Sequence, residues 1–224
     1  MPRWTDRALA KPSDLDHSVV MPYGMHAPGI LSAIEDLYSY LQAINQSSVA
    51  HGYERLEEIM LPAGFSGLMS ELSVRAVSHA LNTATPGVTR NMRSGGRPDL
   101  IPRAMYPNDA VHRGEQGVEV KCSTSESSWQ GHNPETGWIM VIQLTVDRAT
   151  SPNYDRSPTI VERVLLAQLE EKDWAYSGRG EGSRRTPTAS ITRAGRDKLG
   201  AGAVYQRGRA LGVPPAPITL PIEI

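Results

Sequence analysis

The sequence predicts an α/β fold, with a mixed central β-sheet flanked by helices and preceded by an N-terminal helical region. Three observations carry this expectation. Gly29 to about Gln46 has apolar residues at helical spacing, Gly117–Cys122 alternates with a period of two, and Trp138–Leu144 is an almost unbroken apolar run.

Residues 1–28 hold Pro2, Pro12, Pro22 and Pro28 without sustained periodicity, which predicts an irregular arm. The first helix follows, with Ile30, Leu31, Ile34, Leu37, Tyr38, Leu41 and Ile44 as its stripe and Glu35 and Asp36 facing outward. A second helix is expected within 51–61. Pro62-Ala63-Gly64 is expected to break it, and Ser66 to cap a third helix running to about Leu81. Pro86-Gly87 then punctuates the chain.

The strand at 117–122 turns Val118, Val120 and Cys122 to one face and Glu119 and Lys121 to the other. The 138–144 run reads as a central strand covered on both faces. Thr159 to about Glu171 carries Ile160, Val161, Val164, Leu165 and Leu169, a spacing that predicts a helix. Thr188–Thr192 predicts a short strand and Arg193–Leu199 a helix, while Pro214-Pro215-Ala216-Pro217 predicts an extended tail. With 224 residues and no internal repeat, one domain over 1–224 accommodates all of this: an arm with helices over 1–62, a core with a basic segment over 63–210, and a Pro-rich tail over 211–224.

Composition narrows the function classes. At 39% hydrophobic and 21% charged residues the chain is globular, and no apolar run approaches the length of a membrane span. The N-terminus lacks a signal-peptide core, and the single cysteine, Cys122, fits a reducing cytoplasm. The net charge of -1 is unevenly spread: residues 175–210 carry 8 basic and 2 acidic side chains, against 15 and 21 over residues 1–174. An acidic body with a basic segment suits a protein that holds a cation and meets a polyanion.

On the polar face of the 117–122 strand a carboxylate and an ammonium stand two residues apart, pointing the same way. Such a pair suits phosphodiester hydrolysis: the carboxylate holds a divalent cation, and the ammonium orients water or offsets transition-state charge. A second acid is needed, and two aspartates are available. Asp109 is the nearer. A tight hairpin at Gly114–Gly117, pairing residues that sum to about 230, would place it opposite Lys121. Asp99 lies in Pro98-Asp99, separated by nineteen residues from Glu119-Val120-Lys121. A second Glu-x-Lys, Glu170-Glu171-Lys172, falls at the end of the 159–171 pattern, where charge is ordinary solvation.

Pro98-Asp99 followed by Glu119-Val120-Lys121 resembles the signature of the PD-(D/E)XK nuclease superfamily, which includes many type II restriction endonucleases. The likeness covers about residues 64–145. It implies a DNA endonuclease with Asp99 and Glu119 holding Mg²⁺, Lys121 positioning water or charge, and Glu71, on the preceding helix, assisting as a ligand. For that reason Asp99 is preferred to Asp109. The resemblance also implies a homodimer, since cutting both strands of double-stranded DNA takes two active sites. A structure-specific or repair nuclease of the same superfamily is the nearest alternative, and a DNA-binding module that does not cleave is the next.

Beside the catalytic strand, Ser123–Pro134 is polar, and Gln130 and Asn133 are candidates for reading an adenine edge. Arg184 and Arg185 are candidates for a guanine edge or phosphate, and Gln143 for reaching the site from the next strand. Cys122 falls on the apolar face and reads as a core residue. The six histidines have no zinc-like spacing, and no phosphate-binding glycine loop indicates a nucleotide cofactor.

Overall fold

A computed structural model describes residues 1–82, 87–125, 129–131, 133–176 and 188–209. Two short 3₁₀ turns, Arg3–Thr5 and Pro12–Asp14, lead to α1 (Ala27–Ala50), α2 (Leu56–Ile59) and α3 (Pro62–Ala80). The strands β1 (Val88–Arg90), β2 (Leu100–Pro102), β3 (Val118–Ser123), β4 (Gln130–Gly131), β5 (Gly137–Thr145), β6 (Ile160–Leu169), β7 (Trp174–Tyr176) and β8 (Ala189–Ile191) follow. The described chain closes with α4 (Arg193–Ala201) and β9 (Ala203–Gln206). The predicted Pro-rich tail, Pro86, Arg184 and Arg185 lie outside the described residues.

The helix starts follow backbone chemistry. His26 caps α1, its Nδ1 accepting the Gly29 N–H at 3.0 Å, and Pro28 sits in the first turn, where a missing N–H costs nothing. Pro62 likewise opens α3 rather than breaking a helix, and Ser66 is inside α3 instead of capping it. The difference from expectation has one cause: proline's fixed φ suits the first helical position.

Six strands form a mixed sheet in the order β1-β2-β3-β5-β6-β9, and β4-β8-β7 form a second, three-stranded sheet. Within the large sheet β3 and β5 run parallel, from Val118 opposite Trp138 to Ser123 opposite Gln143, and the other pairings are antiparallel. One face of the large sheet meets α1 and α3 through Ile30, Leu37, Met69, Val77, Val118, Val120 and Met140. The opposite face, with Ile139, Val141, Leu165 and Leu169, packs against Trp129, Trp174, Ile191 and Leu199 of the smaller sheet and α4. Among the described residues no helix is long and apolar enough to cross a membrane.

The helix expected over 159–171 is instead β6. Opposite Gln143 and Leu144 of β5 stand Arg163 and Val161, so Glu162 is an extra residue in the strand. That bulge reverses the alternation. Val161, Val164 and Leu166 all reach the helical side, and Leu165, Ala167 and Leu169 the other. A strand buried on both faces and broken in phase reproduces the 161, 164, 165 spacing of a helix. The long polar loop expected after Ser123 contains β4, paired through Gln130 with Ser190.

Candidate active site

The site forms where two strands part. β2 meets β3 at Leu100 and Val118, an antiparallel register that sets Asp99, just ahead of β2, level with Glu119. At this crossing Gly117 (φ 144°) presses against β2, and a Cβ there would lie 2.2 Å from the Leu100 carbonyl oxygen. Beyond the crossing, side chains take the edge amides of β3. The Val120 N–H donates to Asp99 Oδ2 at 2.9 Å and the Cys122 N–H to Ser70 Oγ at 2.8 Å. These bonds satisfy an edge that would otherwise be open, and tie Asp99 directly to the strand bearing Glu119 and Lys121.

The segment carrying Asp99 is fixed from behind by Asn91. Its Nδ2 donates to the Pro98 and Val111 carbonyls at 3.0 and 2.9 Å, and its Oδ1 accepts from the Arg93 and Val111 N–H groups at 3.1 Å each. Asp109 is elsewhere. It sits in the 3₁₀ turn Pro107–Asp109, where its Oδ1 accepts the Ala104 N–H at 2.7 Å. The tight hairpin that would have put Asp109 opposite Lys121 does not form, because the partner of β3 is residue 100 and its pairs sum to 218.

Glu119 and Lys121 lie on the sheet face opposite α1 and α3, their side chains 12% and 18% exposed, close enough to dry to interact strongly and still reachable. Lys121 Nζ stands 3.4 Å from Glu119 Oε1 and 2.7 Å from Glu135 Oε2. Glu135, 11% exposed, also receives Arg97 Nη1 at 2.7 Å. Burial, then the charge of Asp99, pushes the Glu119 carboxyl up to about 7. Burial raises Asp99 as well, against the Val120 hydrogen bond. Lys121 loses solvent, yet Glu119, Glu135 and Asp99 hold its ammonium above the ordinary lysine value. The ensemble is a buried ammonium among carboxylates that repel one another, an arrangement that a further cation would relieve.

Of the other expected residues, Glu71 lines a cleft of about 360 Å³ together with Asp99, Arg90 and Arg93. Its side chain is two-thirds exposed and pairs with Arg90 at 3.3 Å. Gln130 lines a second cleft, of about 350 Å³, with Lys121, Arg97, Glu135 and Ser70. Asn133 is exposed and does not line either cleft. Gln143 is buried, its Oε1 accepting from Arg163 Nε at 2.7 Å, two residues along the sheet from Val141, the partner of Lys121. Cys122 contacts Ser73 Oγ at 3.4 Å, and burial pushes its thiol up to about 11, so it is no nucleophile at neutral pH. Glu170 pairs with Lys172 at 2.6 Å on the surface, a solvated pair. In the basic segment, Lys198 pairs with Asp173 at 2.6 Å and Arg209 with Asp16 at 2.5 Å, so these charges serve the fold. Sequence reading missed Glu135 and Arg97, and only Arg97's place beside Pro98-Asp99 could have signalled either.

The raised Glu119 carboxyl has a stability consequence with a definite sign. Between pH 4.5 and about 7 the folded chain keeps this proton while the unfolded chain releases it, so stability falls as pH rises through that window. Glu119→Gln is therefore expected to melt with the parent near pH 4 and above it at pH 8, by on the order of 5 °C. Thermal melts across pH check this. Equal melting temperatures at pH 8 would refute it.

No family model, curated protein or solved structure matches this chain. The functional reading therefore rests on the residues and their geometry.

Proposed function

We propose that this protein is a Mg²⁺-dependent DNA endonuclease with a restriction-endonuclease-like core, hydrolysing phosphodiester bonds at the parted edge of β3. The observation that carries the reading is Asp99 bound to the β3 main chain beside Glu119, with the Lys121 ammonium on the same strand.

The donor set fits Mg²⁺. Asp99 and Glu119 supply hard oxygen donors whose mutual repulsion a divalent cation would offset. Among the described residues no group of three or more His, Cys, Asp or Glu side chains is placed to hold a metal ion, so Asp99 and Glu119 would leave most of the shell to water. That suits an ion that keeps several waters. When bound, Mg²⁺ supplies an acidified water and polarises the phosphoryl oxygen. Lys121, kept charged by its carboxylate neighbours, offsets the negative charge that builds on the phosphorus oxygens and orients the attacking water. Glu71, which lines the same cleft as Asp99, would serve as an accessory ligand once released from Arg90. Gln130 and Asn133 contact DNA beside the catalytic strand, and Arg184 and Arg185 contribute base or phosphate contacts. Two copies of the site, in a homodimer, cut the two strands.

Incubation of mixed double-stranded DNA with and without Mg²⁺, followed by sequencing of the ends, tests the reading. Discrete ends that appear only with Mg²⁺ are expected. Ends clustered at branches or flaps would identify a structure-specific nuclease instead, and retarded but intact DNA a binding module. Intact, unbound DNA under every condition would end the proposal.

A further inference from the structure

Among the described residues at the site, Glu135 is an acid that the proposed chemistry leaves without a task, and it is firmly held. Its main-chain oxygen accepts the Trp174 Nε1–H at 2.7 Å, and Trp174 is buried in the core beneath the smaller sheet. Its two carboxylate oxygens are divided between cations: Arg97 reaches Oε1 and Lys121 reaches Oε2, each at 2.7 Å. Arg97 is fixed in turn, its N–H bonded to the His112 carbonyl at 3.0 Å and its carbonyl to the Gly114 N–H at 2.7 Å. The result is a braced carboxylate lining the same cleft as Lys121.

The Lys121 ammonium is shared unequally, 2.7 Å from Glu135 and 3.4 Å from Glu119. A lysine stem is flexible and its charge compact, so Nζ goes to the anion that offers most. Without Glu135 that anion is Glu119, which Asp99 also faces. An ammonium settled there would occupy one of the oxygens that a divalent cation needs. Coulomb attraction in so dry a setting makes such a competitor hard to displace.

We infer that Glu135 is a positioning residue that draws Lys121 off Glu119 and so keeps the cation position at Asp99 and Glu119 open. This rests on the proposed metal site but not on DNA cleavage. It gives the third carboxylate a role through the lysine rather than as a ligand.

Mn²⁺, an octahedral oxygen-binding stand-in for Mg²⁺ that is visible by electron paramagnetic resonance, tests it without DNA. The whole chain is titrated as the parent, Glu135→Gln, Lys121→Ala and the double variant, each checked for folding by circular dichroism. Glu135→Gln is expected to weaken Mn²⁺ binding by about tenfold. Lys121→Ala is expected to bind at least as tightly as the parent. In the double variant the competitor is gone, and affinity should return to within about twofold of Lys121→Ala. Should the glutamine variant fail to fold, Glu135→Asp, with the same charge on a shorter stem, is measured in its place with the same expected direction.

Parent-like binding by Glu135→Gln overturns the inference. So does a double variant as weak as Glu135→Gln alone, because Glu135 would then act on the metal directly. A parent that binds no Mn²⁺ removes the metal site and this inference with it. A parent that binds Mn²⁺ but leaves DNA intact ends the nuclease reading alone, and the variants still decide the role of Glu135.

Discussion

Replacing Lys121 or Glu119 by alanine is expected to lower Mg²⁺-dependent cleavage by on the order of 10²-fold or more while leaving DNA binding nearly unchanged. The two losses have different origins. Lys121→Ala removes the charge that faces the developing phosphorane, and leaves Glu119 and Glu135 facing Asp99 with no ammonium between them. Glu119→Ala removes one of the two oxygen ligands that the strand edge presents. Neither side chain carries the fold: both lie outside the apolar clusters, on a strand pinned by Val118 and Val120. Single-turnover cutting of a plasmid, paired with equilibrium binding in Ca²⁺, separates chemistry from affinity. Near-normal cutting by either variant would leave the site assignment without support.

Asp99→Asn is expected to be as damaging, and Asp109→Asn nearly silent. The reason lies in the register. With Leu100 opposite Val118, Asp99 is level with Glu119 and its carboxylate already bonds the Val120 N–H. Asp109 instead closes its own turn by accepting the Ala104 N–H, a role that the amide oxygen of asparagine can keep. A Mg²⁺ titration of cleavage distinguishes the two. A true ligand variant stays inactive across the whole titration, because the missing charge cannot be restored by mass action within the usable range. If Asp109→Asn is dead and Asp99→Asn cuts normally, the proposed ligand set is wrong.

How far the sequence could be read depended on whether the information was local. The β3 alternation, the apolar run of β5, the stripe of α1 and the β8–α4 succession were legible, because each depends on a period within one segment. β6 was not. Its bulge at Glu162 changes the phase of a doubly buried strand, and nothing in the segment itself announces a bulge. Pro62 was misread because proline opens helices as readily as it ends them. At the site, the Glu119 and Lys121 pair followed from strand geometry. The separation of Asp99 from Asp109 needed the register of a partner strand, which the turn chemistry at 114–117 misjudged. Glu135 was invisible because its link to Lys121 depends on how the chain between β3 and β5 is folded back, and polar spacing does not encode that path.

The parallel pairing of β3 with β5 also governs the order in which the molecule can assemble. Antiparallel β5 and β6 are neighbours in sequence and can zip together early. β3 gains β5 as its neighbour through a crossover by way of β4, whereas β2 and α3, its other neighbours, precede it in the chain. Glu119 rides on that strand and meets Asp99 only where β2 pairs with β3, so this clustering of like charges depends on a contact between separate segments. The apolar layers on the two faces of the sheet offset its cost.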